Sequence, residues 1–166
     1  MRIRIIYAFL LAIAAGLTAK AAKAAPLFQS FDKKTFYEIL KSGSAAQIDS
    51  QLSMLDNSSL TEKEAYEGAL LMKKAGLVQK PKEKINFFRA GRIKLEKALL
   101  SDGDNAEYHF LRLIIQEHAP KIVKYKDQLE QDSRFIKKYF RNLSPLVQER
   151  IMDYGKTSGV LHTQDF

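Results

Sequence analysis

The 166 residues include no cysteine, only three histidines, and no uncharged aliphatic run longer than the thirteen residues Ile5–Leu17. Without cysteine there is no disulfide framework, no thiolate-bound zinc or iron–sulfur centre, no thiol nucleophile and no lipid anchor on an N-terminal cysteine. The histidines do not suggest a metal site. His109 and His118 fall on opposite faces of a straight helix, His162 lies near the end of the chain, and no H-E-x-x-H or i, i+4 pair exists. No G-x-S-x-G is present, and Ser158-Gly159 has no evident base partner. Asp102-Gly-Asp-Asn-Ala-Glu107 lacks the ligand spacing of a calcium loop, and helix capping accounts for Asp104 and Glu107. A chain with these gaps reads as a non-enzyme with no cofactor. No segment sustains the apolar–polar alternation of a strand.

What is present begins with an address. Arg2 and Arg4 precede the apolar Ile5–Leu17, and Ala19 to Ala25 is rich in small residues. That is the basic, apolar and small-residue order of a secretory signal. Ala22 and Ala24 suit the −3 and −1 positions of a cleavage site, with Ala19 and Ala21 as a second choice. Thirteen residues are short of the roughly 20 that span a bilayer, so residues 1–24 are expected to be cleaved rather than kept as an anchor. Arg2, Arg4, Lys20 and Lys23 leave with them, taking the net charge from +8 to +4. The remaining bases are interspersed with acids, which speaks against a nucleic-acid partner. The expected location is periplasmic or extracellular.

The rest of the chain carries helix signals throughout. Asp32 reads as an N-cap before Phe36, Ile39 and Leu40, with Gly43 as a stop. Ser44 with Gln47, Thr61 with Glu64, and Asp104 with Glu107 have capping-box spacing. Gly76 after Lys73-Lys74 reads as a helix end. Leu77–Lys80 is a connector, Pro81 opens a helix reaching about Leu100, and the basic run 79–84 reads as solvated loop. Another helix spans about Asn105–His118, a near-heptad apolar pattern covers Ile122–Phe140, and Ser144-Pro145 opens the last helix. The expectation is an all-α domain over 25–155, an antiparallel bundle of six to seven helices. Residues 156–166 are expected to be a loosely held tail.

Gly91, Leu95, Ala98 and the turn at Asp102–Asn105 resemble the second helix of a tetratricopeptide repeat running into the next repeat. Ala65-Tyr66-Glu67-Gly68-Ala69-Leu70 resembles the first helix of the pair. Gly103 stands where the family has proline, and the link spanning Leu77–Lys84 is longer than the family's. The resemblance implies a short α-solenoid that binds protein segments in a groove lined by first helices.

The helix from Asn105 sharpens this expectation. Asn105, His109, Arg112 and Gln116 fall within about 60° of one another on an otherwise apolar helix. Such a stripe either faces a groove or pairs with acids on a neighbour. In the groove reading Tyr66, Lys73, His109, Arg112 and Gln116 hold a peptide or partner segment of an envelope or secreted protein, with Arg112 as carboxylate clamp. A small-ligand carrier and an accessory domain of an envelope enzyme are the alternatives.

Overall fold

The computed structural model describes residues 30–166; the expected signal, with Ala22 and Ala24, lies outside them. Among the described residues are seven α-helices, three short 3-10 turns and no strand, an all-α bundle. The helices are α1 (Lys33–Ser42), α2 (Ala45–Asp56), α3 (Lys63–Leu77), α4 (Pro81–Ser101), α5 (Ala106–His118), α6 (Leu129–Tyr139) and α7 (Pro145–Tyr154).

Local chemistry sets most boundaries. The Asp32 carboxylate accepts from the Thr35 backbone N–H at 2.7 Å, satisfying an orphan donor of α1. Ser44 and Gln47 form the reciprocal capping box at the start of α2. Pro81 and Pro145 occupy first helical positions, where a missing N–H costs nothing.

Four expected features differ. The Thr61–Glu64 box does not form: α3 starts at Lys63, and Glu64 instead pairs with Lys94 and Lys97 of α4 at 3.5 and 3.7 Å. The Asp104–Glu107 box does not form either. Asn105 caps α5, accepting from the N–H groups of Glu107 and Tyr108, so the Glu107 side chain is released toward the core. Gly76 lies inside α3, which runs to Leu77. The connector shrinks to Val78–Lys80, because Lys82, Glu83 and Lys84 belong to the first turn of α4.

The short connector makes α3 and α4 an antiparallel hairpin with backbones nearly touching. A β-carbon on Gly68 would come within 2.7 Å of the Leu95 nitrogen, and one on Gly91 within 2.5 Å of the Gly68 carbonyl oxygen. Only glycine at both positions allows that approach. α5 is the central helix, with ten of its thirteen residues buried. Phe36, Tyr66, Leu95 and Ile136 close the core around its Phe110 and Leu111.

The C-terminal segment is packed rather than loose. Leu161 is fully buried, Phe166 packs on Phe140 with ring centres 4.3 Å apart, and Ser133 Oγ donates to the Val160 carbonyl at 3.0 Å. Glu117 at the end of α5 accepts from Tyr154 at 2.7 Å, from Ser158 at 2.8 Å and from the Gly159 N–H. Burial pushes this carboxyl up, but those three hydrogen bonds outweigh it and hold it below its ordinary 4.5. A depressed carboxylate stabilises above its unfolded pKa and loses that contribution as pH falls through the folded one. Hydrogen-exchange protection at Gly159–Leu161 is therefore expected to fall as the pH drops from about 6 to about 3, ahead of α5. Equal protection at both pH values would refute this latch.

Candidate functional site

Two polar clusters lie along α5, both buried. At its N-terminal end the Glu107 carboxylate accepts from the Tyr37 and Tyr66 hydroxyls at 2.9 and 3.0 Å and from Lys33 Nζ at 3.0 Å. The rings around it are stacked or tilted: Phe31 and Phe36 sit 5.2 and 4.7 Å from Tyr66. Burial, reinforced by the Glu107 charge, pushes both phenols well above their ordinary value, so they remain neutral donors. The cluster ties α1 and α3 to the first turn of α5, where a carboxylate also favours the helix dipole.

The second cluster centres on Asp132 of α6, which is fully buried. Arg112 Nε donates to Asp132 Oδ2 at 2.8 Å and Nη2 to Oδ1 at 2.7 Å, a bidentate pair. Arg112 Nη1 reaches Glu96 of α4 at 3.0 Å, and the Tyr125 hydroxyl donates to the same carboxylate. His109 Nδ1 lies 2.6 Å from Asp132 Oδ1, and its Nε2 lies 2.8 Å from the Gly103 carbonyl oxygen. Each ring nitrogen faces an oxygen, so the ring bridges α6 and the loop between α4 and α5. Phe135 covers the imidazole at a centroid distance of 4.1 Å. Burial lowers the Arg112 pKa, but Asp132 and Glu96 outweigh it and hold the guanidinium above its ordinary value.

The five residues expected to line a groove do not share an open face. Tyr66 is in the core on Glu107. Lys73, half-buried and with its pKa lowered by that burial, donates to the Lys41 carbonyl at the end of α1 at 3.0 Å. His109 and Arg112 share Asp132, and Gln116 donates to Gln128 at 2.6 Å. Of the two uses open to the stripe, pairing with acids on neighbouring helices is the arrangement found for His109 and Arg112, while Gln116 bonds to Gln128 at the start of α6. The ordinary signals of sequence missed Asp132 and Glu96 as its partners, since each sits in a charged stretch like many others.

The surface left available is the outer face of α4. Ile85, Ile93 and Leu100 are 57%, 62% and 88% exposed, and Ile122 on the neighbouring 3-10 turn is 87% exposed. Ile85, Arg89, Ile93 and Leu100 fall within about 80° of arc, roughly opposite Gly91, Leu95 and Ala98, which face α3. Phe88 and Arg92 both pack on Tyr125, at 5.7 and 4.7 Å, which sets the turn bearing Ile122 beside the same helix.

Compared with known proteins, the chain matches no family model, no curated sequence and no solved structure. Its chemistry therefore rests on its own geometry. The Asp132 cluster joins α4, α5, α6 and the Tyr125 loop through polar bonds whose partners are already committed to one another. The outer face of α4 displays side chains without such commitments.

Proposed function

We propose that the protein is an exported, non-catalytic binding module of the cell envelope, periplasmic or extracellular, and that it meets its partner with the outer face of α4. The observation that carries this reading is the line of Ile85, Ile93 and Leu100, three large aliphatic side chains exposed on one helix face. Exposed apolar residues are ordinary singly and informative when aligned. The His109–Arg112–Gln116 stripe enters this reading as the frame that holds α4 against α5 and α6. The Gly68–Gly91 contact supports treating α3–α4 as one degenerate tetratricopeptide-like unit.

The test places a photo-reactive amino acid at Ile93 and, separately, at the exposed Glu149 of α7, and irradiates intact cells. A covalent adduct to a cellular component at position 93 and none at 149 is expected. No adduct at 93, or equal adducts at both positions, would defeat the reading. The mass of the recovered protein reads its N-terminus, expected at Ala25; an intact Met1 would defeat the cleavage part alone.

A further inference from the structure

The first two-thirds of α4 is basic as well as apolar. Lys82, Arg89 and Arg92 project from it on or beside the outer face, and Lys121 and Lys124 from the adjacent turn, all exposed. Among the described residues none of these five has an ion-pair partner, though Arg92 stacks on Tyr125; the pairs at this helix join Lys80 with Glu83, Lys94 with Glu64 and Glu67, Lys97 with Glu64, and Glu96 with Arg112. The carboxylates on this helix and at its start are already engaged, while Asp127, past the adjacent turn, is exposed and makes no ion pair among the described residues. Glu83 pairs with Lys80 at 3.0 Å, and Glu96 with Arg112 and Tyr125. The acidic residues Asp102 and Asp104 lie beyond the other end of the helix.

We propose that this face docks on an anionic lipid surface, with Ile85, Ile93 and Ile122 entering the headgroup boundary and the unpaired lysines and arginines meeting lipid phosphates. The proposal rests on the reading that the outer face of α4 is the contact surface, and it names the chemistry of the contact. Charge complementarity selects the occupant. A second copy of the chain, related by a twofold axis, would set Arg89 and Lys82 against their own like charges. Lysine and arginine stems can lie along the apolar boundary while their heads reach phosphate. Interleaved bases and aliphatics on one exposed helix are the composition of interfacial binding.

The test measures co-sedimentation with vesicles of phosphatidylcholine alone and of phosphatidylcholine with phosphatidylglycerol at about 3:1, at about 0.1 M salt. It uses the chain beginning at Ser30, which contains every described helix, once its melting is shown to match that of the full chain. This keeps the apolar residues 5–17 out of the readout. Binding is expected to the anionic vesicles only. Lys82→Glu/Arg89→Glu and Ile85→Ser/Ile93→Ser should each weaken it at least about tenfold. Lys34→Glu/Arg134→Glu, which changes net charge equally on α1 and α6, should leave it within about twofold. No binding to anionic vesicles, or equal loss in the control pair, overturns the proposal. If the vesicles stay unbound while Ile93 crosslinks to a protein in cells, the lipid proposal falls and the binding-face reading stands.

Discussion

Replacing Asp132 by alanine is expected to lower the unfolding free energy by about 3–5 kcal/mol, the cost of stranding buried charge. Asp132 has no exposed surface and takes both guanidinium bonds of Arg112 and the Nδ1 contact of His109. Without it the Arg112 guanidinium faces a low-dielectric space with Glu96 as its remaining carboxylate, and the His109 ring loses its Nδ1 partner. Asp132→Asn keeps the shape but not the charge and should lose most of the same amount. Replacing the whole set with Asp132→Leu, Arg112→Met and His109→Phe should recover much of it, because apolar side chains of similar size need no partners. Urea unfolding followed by circular dichroism measures all three, with unchanged slope showing that the same surface unfolds. A loss below about 1 kcal/mol for Asp132→Ala would place the network in the class of solvent-screened surface pairs.

Gly91→Ala should cost about 2–3 kcal/mol or more, by forcing α3 and α4 apart. The new methyl would meet the Gly68 carbonyl oxygen at 2.5 Å and the Met72 nitrogen at 2.9 Å, and a helix backbone yields far less readily than a side chain. Gly68→Ala is the mirror of this change, against Leu95 and Gly91. Gly76→Ala gives the opposite sign. It lies within α3, has nothing within 4 Å of its added carbon, and no glycine among the described residues has positive φ. It should stabilise by about 0.5–1 kcal/mol, the helix-propensity difference between the two residues. Thermal melts of the three variants check the pattern; a neutral Gly91→Ala would mean that the hairpin can open without loss.

The helix content was readable because it rests on local rules. Asp32, Ser44 and Ser144 cap, and Pro81 and Pro145 start helices, by bonds that span three residues or fewer. The same rules misassigned Glu107. Its spacing from Asp104 allows a capping box, but Asn105 takes the capping role, and Tyr37, Tyr66 and Lys33 compete for the carboxylate from as many as 74 positions away. Periodicity located the polar stripe on α5 and left two uses open; the choice depended on Asp132 and Glu96, whose approach is a matter of packing. The tail was misjudged for the same reason, since Leu161 has one apolar neighbour in sequence but a complete enclosure in space. The α4 face was partly visible in the basic run 79–84, yet only the hairpin shows which of its isoleucines stay outside.

The two ends of α5 are fastened by opposite ends of the described chain: Lys33 and Tyr37 at Glu107, Ser158 and Gly159 at Glu117. A polypeptide made from its N-terminus therefore acquires the distal fastening only once Ser158 and Gly159 are present. Until Asp132 emerges, Arg112 and His109 lack their buried carboxylate, and until Ser158 emerges α5 lacks its distal latch. The two fastenings of α5 toward its C-terminal half thus depend on residues far along the chain from α5's own first turn.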